Sequence, residues 1–67
     1  MDIRRQVGRN VRRLRDEKGW SQEDLAAEAG LHFTYVSGVE RGVRNPTILV
    51  IAKLAKALSV KASVLLE

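Results

Sequence analysis

The sequence predicts an all-α, compact five-helix domain. Three observations predict it: apolar residues recur at three- and four-residue spacing, no stretch alternates apolar and polar as a half-buried strand would, and cap-forming residues or glycines fall between the periodic runs. With 67 residues there is room for one domain, expected over 1–67, and one core.

Each helix carries its own start and stop. Val7, Val11 and Leu14 recur within a polar run, so Ile3 to Lys18 reads as an amphipathic helix stopped by Gly19. Ser21 comes next as an N-cap, with Asp24 three residues on to complete a capping box. Gln22 to Ala29 makes a second helix with Leu25, Ala26 and Ala29 inward, closed by Gly30 in a left-handed position. A third runs from about Phe33 to Arg41, burying Val36 and Val39 beside Leu31, and ends at Gly42. Asn45-Pro46-Thr47 punctuates the chain again, because proline disfavours a helical residue before it and Thr47 can cap the next helix. Ile48 to Leu58 is that fourth helix, with Ile48, Ile51, Ala55 and Leu58 on its buried stripe. Ser59-Val60 breaks it, and Lys61 to Leu66 is a short fifth helix.

Composition narrows the function. There is no cysteine and a single histidine, so disulfides, thiolate metal sites and imidazole clusters are excluded and no metal or other cofactor is expected. No apolar run approaches the roughly 18 residues that span a bilayer, and Met1-Asp2-Ile3-Arg4-Arg5 lacks the apolar stretch of a secretory signal. A cytoplasmic location without a membrane partner is therefore expected. The acidic pairs Asp16-Glu17 and Glu23-Asp24 read as solvated and capping groups, no Ser/His arrangement suggests an activated nucleophile, and neither an enzyme nor a small-molecule binder is expected. A net charge of +4 and a pI near 10.1 point to an anionic partner, of which nucleic acid is the commonest; solubility alone would also account for the excess. The charge is uneven. Residues 1–18 hold seven Lys/Arg against three acids, residues 19–40 hold no Lys or Arg and four acids, and the remainder holds five bases and one acid. A nucleic-acid footprint has to be assembled in space from the two ends.

The segment from about 21 to 42 contains two short helices joined by a tight turn at Gly30-Leu31, with the small Ala26 and Ala29 where steeply crossing helices must approach. That is a helix-turn-helix pattern, in which the second helix enters the major groove of DNA. The order and spacing of Ser21-Gln22-Glu23-Asp24-Leu25-Ala26, Gly30-Leu31, Val36-Ser37-Gly38-Val39-Glu40-Arg41-Gly42, Arg44-Asn45-Pro46-Thr47 and Ile51 to Val60 resemble the Cro/C1-type (XRE) helix-turn-helix family. Within it, Leu31-x-x-Thr34-Tyr35-Val36-Ser37-Gly38-Val39-Glu40-Arg41 is similar to the controller proteins of restriction–modification systems.

The resemblance implies a lambda-repressor-like fold and a homodimeric transcriptional regulator bound to a two-half-site operator in double-stranded DNA. It places Gln22 at a helix N-terminus that attracts phosphate, His32, Phe33, Thr34, Tyr35 and Ser37 on the recognition helix, and Arg41, Arg44, Asn45 and Thr47 on the phosphate-gripping flank. Arg15 and Glu40 match a family pair tying the first helix to the third. His32 stands where the family has a better cap, which leaves two readings open: a weakened helix start or a ring facing DNA. Phe33 replaces the arginine frequent in controller proteins and removes the obvious guanine reader. Gly38 costs about 1 kcal/mol in a helix interior, explained either by a close approach of DNA or of a neighbouring helix or as a tolerated imperfection. Apolar excess in Leu49, Val50, Val64, Leu65 and Leu66 suggests a dimer interface, although a wide core stripe or docking onto another domain would use the same residues. The rival function is an antitoxin-like or adaptor module whose apolar patch binds protein, with DNA secondary.

Overall fold

In the computed structural model, which describes residues 2–67, the elements are α1 (Ile3–Glu17), α2 (Gln22–Ala29), α3 (Phe33–Glu40), α4 (Ile48–Ala57) and α5 (Ala62–Leu65). The caps explain the boundaries. Asp2 accepts the Arg4 N–H at 3.0 Å to start α1. At α2 the capping box is complete: the Asp24 N–H donates to Ser21 Oγ at 3.0 Å, and the Ser21 N–H donates to Asp24 Oδ2 at 2.9 Å. Gly30 closes α2 at φ 69°, a conformation other residues resist. Thr47 Oγ1 accepts the Val50 N–H at 3.1 Å and starts α4. Helix α4 ends one residue short of the expected Leu58, which serves as its cap, and Ser59 comes after it at φ 61° while the Val60 N–H reaches back to the Ala55 carbonyl at 3.0 Å. Helix α5 is a single turn, shorter than the Lys61 to Leu66 span its apolar residues suggested, because Lys61 and Leu66 act as its caps.

The core joins Val7, Val11 and Leu14 of α1, Leu25, Ala26 and Ala29 of α2, Val36 and Val39 of α3, Ile51, Leu54 and Ala55 of α4, and Leu58 and Leu65. Two sequence expectations change. Ile48, expected on the buried stripe, is 89% exposed: α4 packs against α2 and α5 through Ile51, Leu54 and Ala55, and its first residue is left outside. Leu65, expected at a dimer interface, is wholly buried. Helix α5 folds back against α1 and α4, and Asn10 Nδ2 donates to the carbonyls of Leu65 and Glu67, each at 3.0 Å, so Leu65 fills the core instead of facing outward.

Two features fix α3. The first is Gly8 in the middle of α1. A Cβ there would strike the Val39 carbonyl oxygen and lie 2.7 Å from that of Glu40, so α1 lies directly on the C-terminal backbone of α3. The second is an ion pair. Arg15 Nε and Nη2 donate to Glu40 at 2.7 and 3.0 Å, a bidentate geometry, with the two side chains only 11% and 3% exposed. Arg15 Nη1 also donates to the Trp20 carbonyl at 2.8 Å, and Gln22 Nε2 donates to Glu40 Oε1 at 3.1 Å. Hydrogen bonding to Glu40 raises the Arg15 pKa above its usual value, with burial opposing, so the guanidinium is charged throughout the working pH range. Every buried side-chain nitrogen and oxygen among the described residues has a partner.

These contacts carry two predictions about stability. Gly8→Ala is expected to cost at least about 2 kcal/mol in urea denaturation despite the better helix propensity of alanine, because the new methyl meets carbonyl groups that cannot rotate aside. Glu40→Ala is expected to cost about 3 kcal/mol by leaving the Arg15 charge without its partner, whereas Arg15→Met combined with Glu40→Leu should be more stable than either single variant. A Glu40→Ala cost below about 1 kcal/mol would place the pair with ordinary surface ion pairs.

Candidate nucleic-acid interface

Helix α3 buries one side and leaves the other open. Val36 and Val39 are buried, Gly38 is covered, and Phe33 and Thr34 lie open at the N-terminal end with Ser37 half-buried one turn on. At the start of the helix stands His32, for which the sequence left both a weakened cap and a ring facing DNA open. Its Nδ1 accepts the Thr34 N–H at 3.1 Å, so the imidazole does cap α3, and the exposed ring stacks against Phe33 with centroids 6.1 Å apart. Such a bond needs Nδ1 unprotonated.

The segment after α3 turns at Gly42, φ 75°, and comes back along the helix. The N–H groups of Val43 and Arg44 both reach the Gly38 carbonyl, at 3.0 and 3.3 Å. Arg44 then lies across Gly38, and its guanidinium carbon sits 5.6 Å from the centre of the half-buried Tyr35 ring. The atoms that approach this mid-helix glycine thus belong to a loop side chain of the same molecule, where DNA or a neighbouring helix was expected. Arg41 Nε donates to the Ser37 carbonyl at 3.4 Å, Asn45 is exposed, and Thr47 is exposed with its hydroxyl engaged in the α4 cap.

Gln22 is placed differently from its expected role. It stands at the first position of α2, but its side-chain amide turns inward to Glu40 at 3.1 Å, leaving the backbone at the helix start as the more accessible donor. The capping box satisfies the Asp24 N–H and does not involve those of Gln22 and Glu23.

The two basic ends of the sequence do meet. Arg5 of α1 lies against Gly42, where a Cβ would sit 2.8 Å from Arg5 Cγ, so α1 contributes a cation beside the loop that carries Arg41 and Arg44. Much of the remaining α1 charge is locally compensated: Arg4 pairs with Asp2, Arg12 with Asp16 and Arg13 with Glu17. Sequence reading did not single out Arg5, since a contact spanning 37 positions leaves no local signal. Among the described residues no group of three or more His, Cys, Asp or Glu could hold a metal ion, and no helix is long and apolar enough to cross a membrane.

Comparison with known proteins gives this geometry its context. A helix-turn-helix family model matches residues 11–65. An HTH-type transcriptional regulator of Sinorhizobium fredii, y4dJ, is 50% identical over 60 residues, 90% of this chain and 78% of that protein. Among solved structures, the restriction–modification controller protein C.AhdI from Aeromonas hydrophila superimposes with a TM-score of 0.90 at 47% identity, covering 92% of this chain and 94% of that one. The master regulator for biofilm formation SinR, solved in complex with DNA, gives a TM-score of 0.87 at 35% identity over 91% of this chain and 98% of that one. With a family match over most of its length and these relatives, the chain belongs to the Cro/C1-type (XRE) helix-turn-helix family of transcriptional regulators, in which it resembles the restriction–modification controller proteins.

Proposed function

We propose that residues 1–67 act as one sequence-specific DNA-binding unit that regulates transcription as a homodimer on an operator of two half-sites. The observation that carries this reading is the placement of α3: a helix fixed from behind by Gly8, Val36, Val39 and the Arg15–Glu40 pair, with its other side open and cations at its flank. Eight residues make a rod about 12 Å long, comparable to the roughly 12 Å width of the major groove.

In this reading Phe33, Thr34 and Ser37 face base edges: the hydroxyls as donors or acceptors and the phenyl ring against a thymine methyl, with His32 beside them. Tyr35 holds Arg44. Arg41, Arg44 and Asn45, together with Arg5, grip phosphates on one side, while the free backbone N–H groups at the start of α2, near Gln22, take a phosphate on the other. Thr47 contributes chiefly by holding the start of α4. Because α3 carries no lysine or arginine, affinity comes from the flanks, and specificity from short side chains and from DNA shape. The setting for such a regulator is the bacterial or phage-type cytoplasm, and SinR in complex with DNA is the structural relative that supports the nucleic-acid partner.

The homodimer rests on an apolar face. Ile48 and Leu49 are 89% and 65% exposed, Leu66 is 49% exposed, and Ile3, Val7, Pro46, Ile51 and Leu66 line a shallow groove beside them. Val50 and Val64 pack partly into the core at its margin. A face of this kind on so small a domain marks an association surface, and a second copy doubles the recognition helices presented to an operator.

Three measurements check the reading. Duplex binding is expected to weaken with salt at a log–log slope on the order of −5 to −9 for a dimer; a flat response would favour the protein-interaction module. Ile48→Asp with Leu49→Asp, at exposed positions the fold tolerates, is expected to give a folded monomer in sedimentation and to lower operator affinity at least about tenfold; a persistent dimer would exclude this face. Thr34→Ala and Ser37→Ala are expected to change the ranking of sequences, while Arg44→Ala weakens binding to all of them alike.

A further inference from the structure

We infer that Gly38 is a positioning residue for DNA binding: its missing side chain is the seat on which Arg44 is laid, with its guanidinium over the Tyr35 ring, ready to meet a phosphate. This inference rests on the DNA-binding reading above and goes beyond it by assigning a role to a residue that touches no DNA.

The geometry is specific. A Cβ on Gly38 would lie 2.5 Å from Arg44 Cγ, 3.3 Å from Nε and 3.4 Å from Cδ, so three successive parts of the arginine stem pass over the glycine. The backbone on either side is tied down by the Val43 and Arg44 N–H bonds to the Gly38 carbonyl. At the far end the guanidinium lies over the face of Tyr35, where ring and cation attract. An arginine on an open loop samples many rotamers and loses that freedom on binding. Here the loss is taken during folding, and Arg44 meets the DNA already ordered. The contrast with Gly8 separates the two glycines. At Gly8 an added methyl meets backbone carbonyls and breaks the α1–α3 contact, whereas at Gly38 it meets only a side chain that can swing away into solvent. Gly38 therefore serves Arg44 more than it serves the fold.

The test is Gly38→Ala, alone and in an Arg44→Ala background, read by thermal denaturation and by fluorescence titration of a duplex selected from a random pool. In the single variant the melting temperature is expected to stay level or rise by up to about 4 °C, because alanine favours a helix interior. Its duplex affinity is expected to fall roughly tenfold, as in Arg44→Ala, through loss of one ordered charge-assisted contact. In the Arg44→Ala background Gly38→Ala should lower affinity no further. A second readout needs no DNA: in the parent protein the Arg44 methylene protons should be shifted upfield by the Tyr35 ring, and the shift should vanish in Gly38→Ala. Three results would overturn the inference: unchanged affinity in Gly38→Ala, an equal further loss in the Arg44→Ala background, which would mean that the methyl obstructs the DNA itself, or a melting temperature that falls together with affinity. Absence of the ring shift in the parent protein would overturn it independently. Failure of the parent protein to bind any selected duplex would sink the DNA-binding reading and take this inference with it.

Discussion

The orientation of α3 depends first on one buried contact, the bidentate pair between Arg15 and Glu40, which acts together with the close seat of α3 on Gly8. An eight-residue helix has little stability of its own, since nucleation costs more than two turns of hydrogen bonds return. Helix α3 exists because the rest of the molecule holds it. Apolar contacts through Val36 and Val39 supply attraction but little direction, as hydrophobic burial is non-directional. Glu40 supplies direction. Its carboxylate receives Arg15 from α1 and Gln22 from the start of α2, and Arg15 also holds the Trp20 carbonyl between those helices. A single acidic side chain at the end of α3 therefore ties that helix to both helices that support it. Because a buried pair of this kind adds little net stability relative to apolar replacements, geometry is the better account of its presence.

The same arrangement explains an otherwise awkward charge distribution. The segment from Gly19 to Glu40 contains no lysine or arginine, and taken alone it would be repelled by DNA. Folding places Arg5 from α1 and Arg41 and Arg44 from the loop after α3 beside that helix. In the proposed DNA complex the cations would stand at the flank of an α3 without lysine or arginine, so phosphate contacts could set register without crowding the side chains that face the bases. The ion pairs along α1 contribute by subtraction. Arg4, Arg12 and Arg13 each lie beside an acid of α1 or of its cap, exposed pairs that offset part of the charge of that helix.

Most of this fold was legible because its signals are local. Capping residues and left-handed glycines act within four or five positions, and both helices of the helix-turn-helix unit came out within a residue of their observed ends. What escaped depends on pairs far apart in sequence. Ile48 fits its helical stripe by spacing, yet lies outside because burial requires a neighbour, and none covers the side chain at the very start of α4. Leu65 looked like apolar surplus because nothing local shows that Asn10 draws α5 back onto α1. Arg5 carried no signal as a neighbour of Gly42, and Gly8 none as the point where α1 rests on α3. At the candidate site the residue types were readable and their allegiances were not. Gln22 turns to Glu40 and Arg44 to Tyr35, choices made by tertiary proximity.

The exposed apolar face joins these strands into one architecture. Its residues come from the start of α1, the first turn of α4 and the end of α5, which are the three places where the small core runs out of partners. A domain of this size buries only about 60% of its unfolded surface, so apolar residues left at helix ends are hard to avoid and hydration disfavours them. Pairing two copies through that face would cover them while presenting two recognition helices with a fixed separation. In that reading one helix facing bases through Phe33, Thr34 and Ser37 would give little discrimination, and a spacing fixed by the dimer would add a geometric criterion that no single helix can supply. The surface that a small core cannot cover is then also the surface through which a weak reader becomes a selective one.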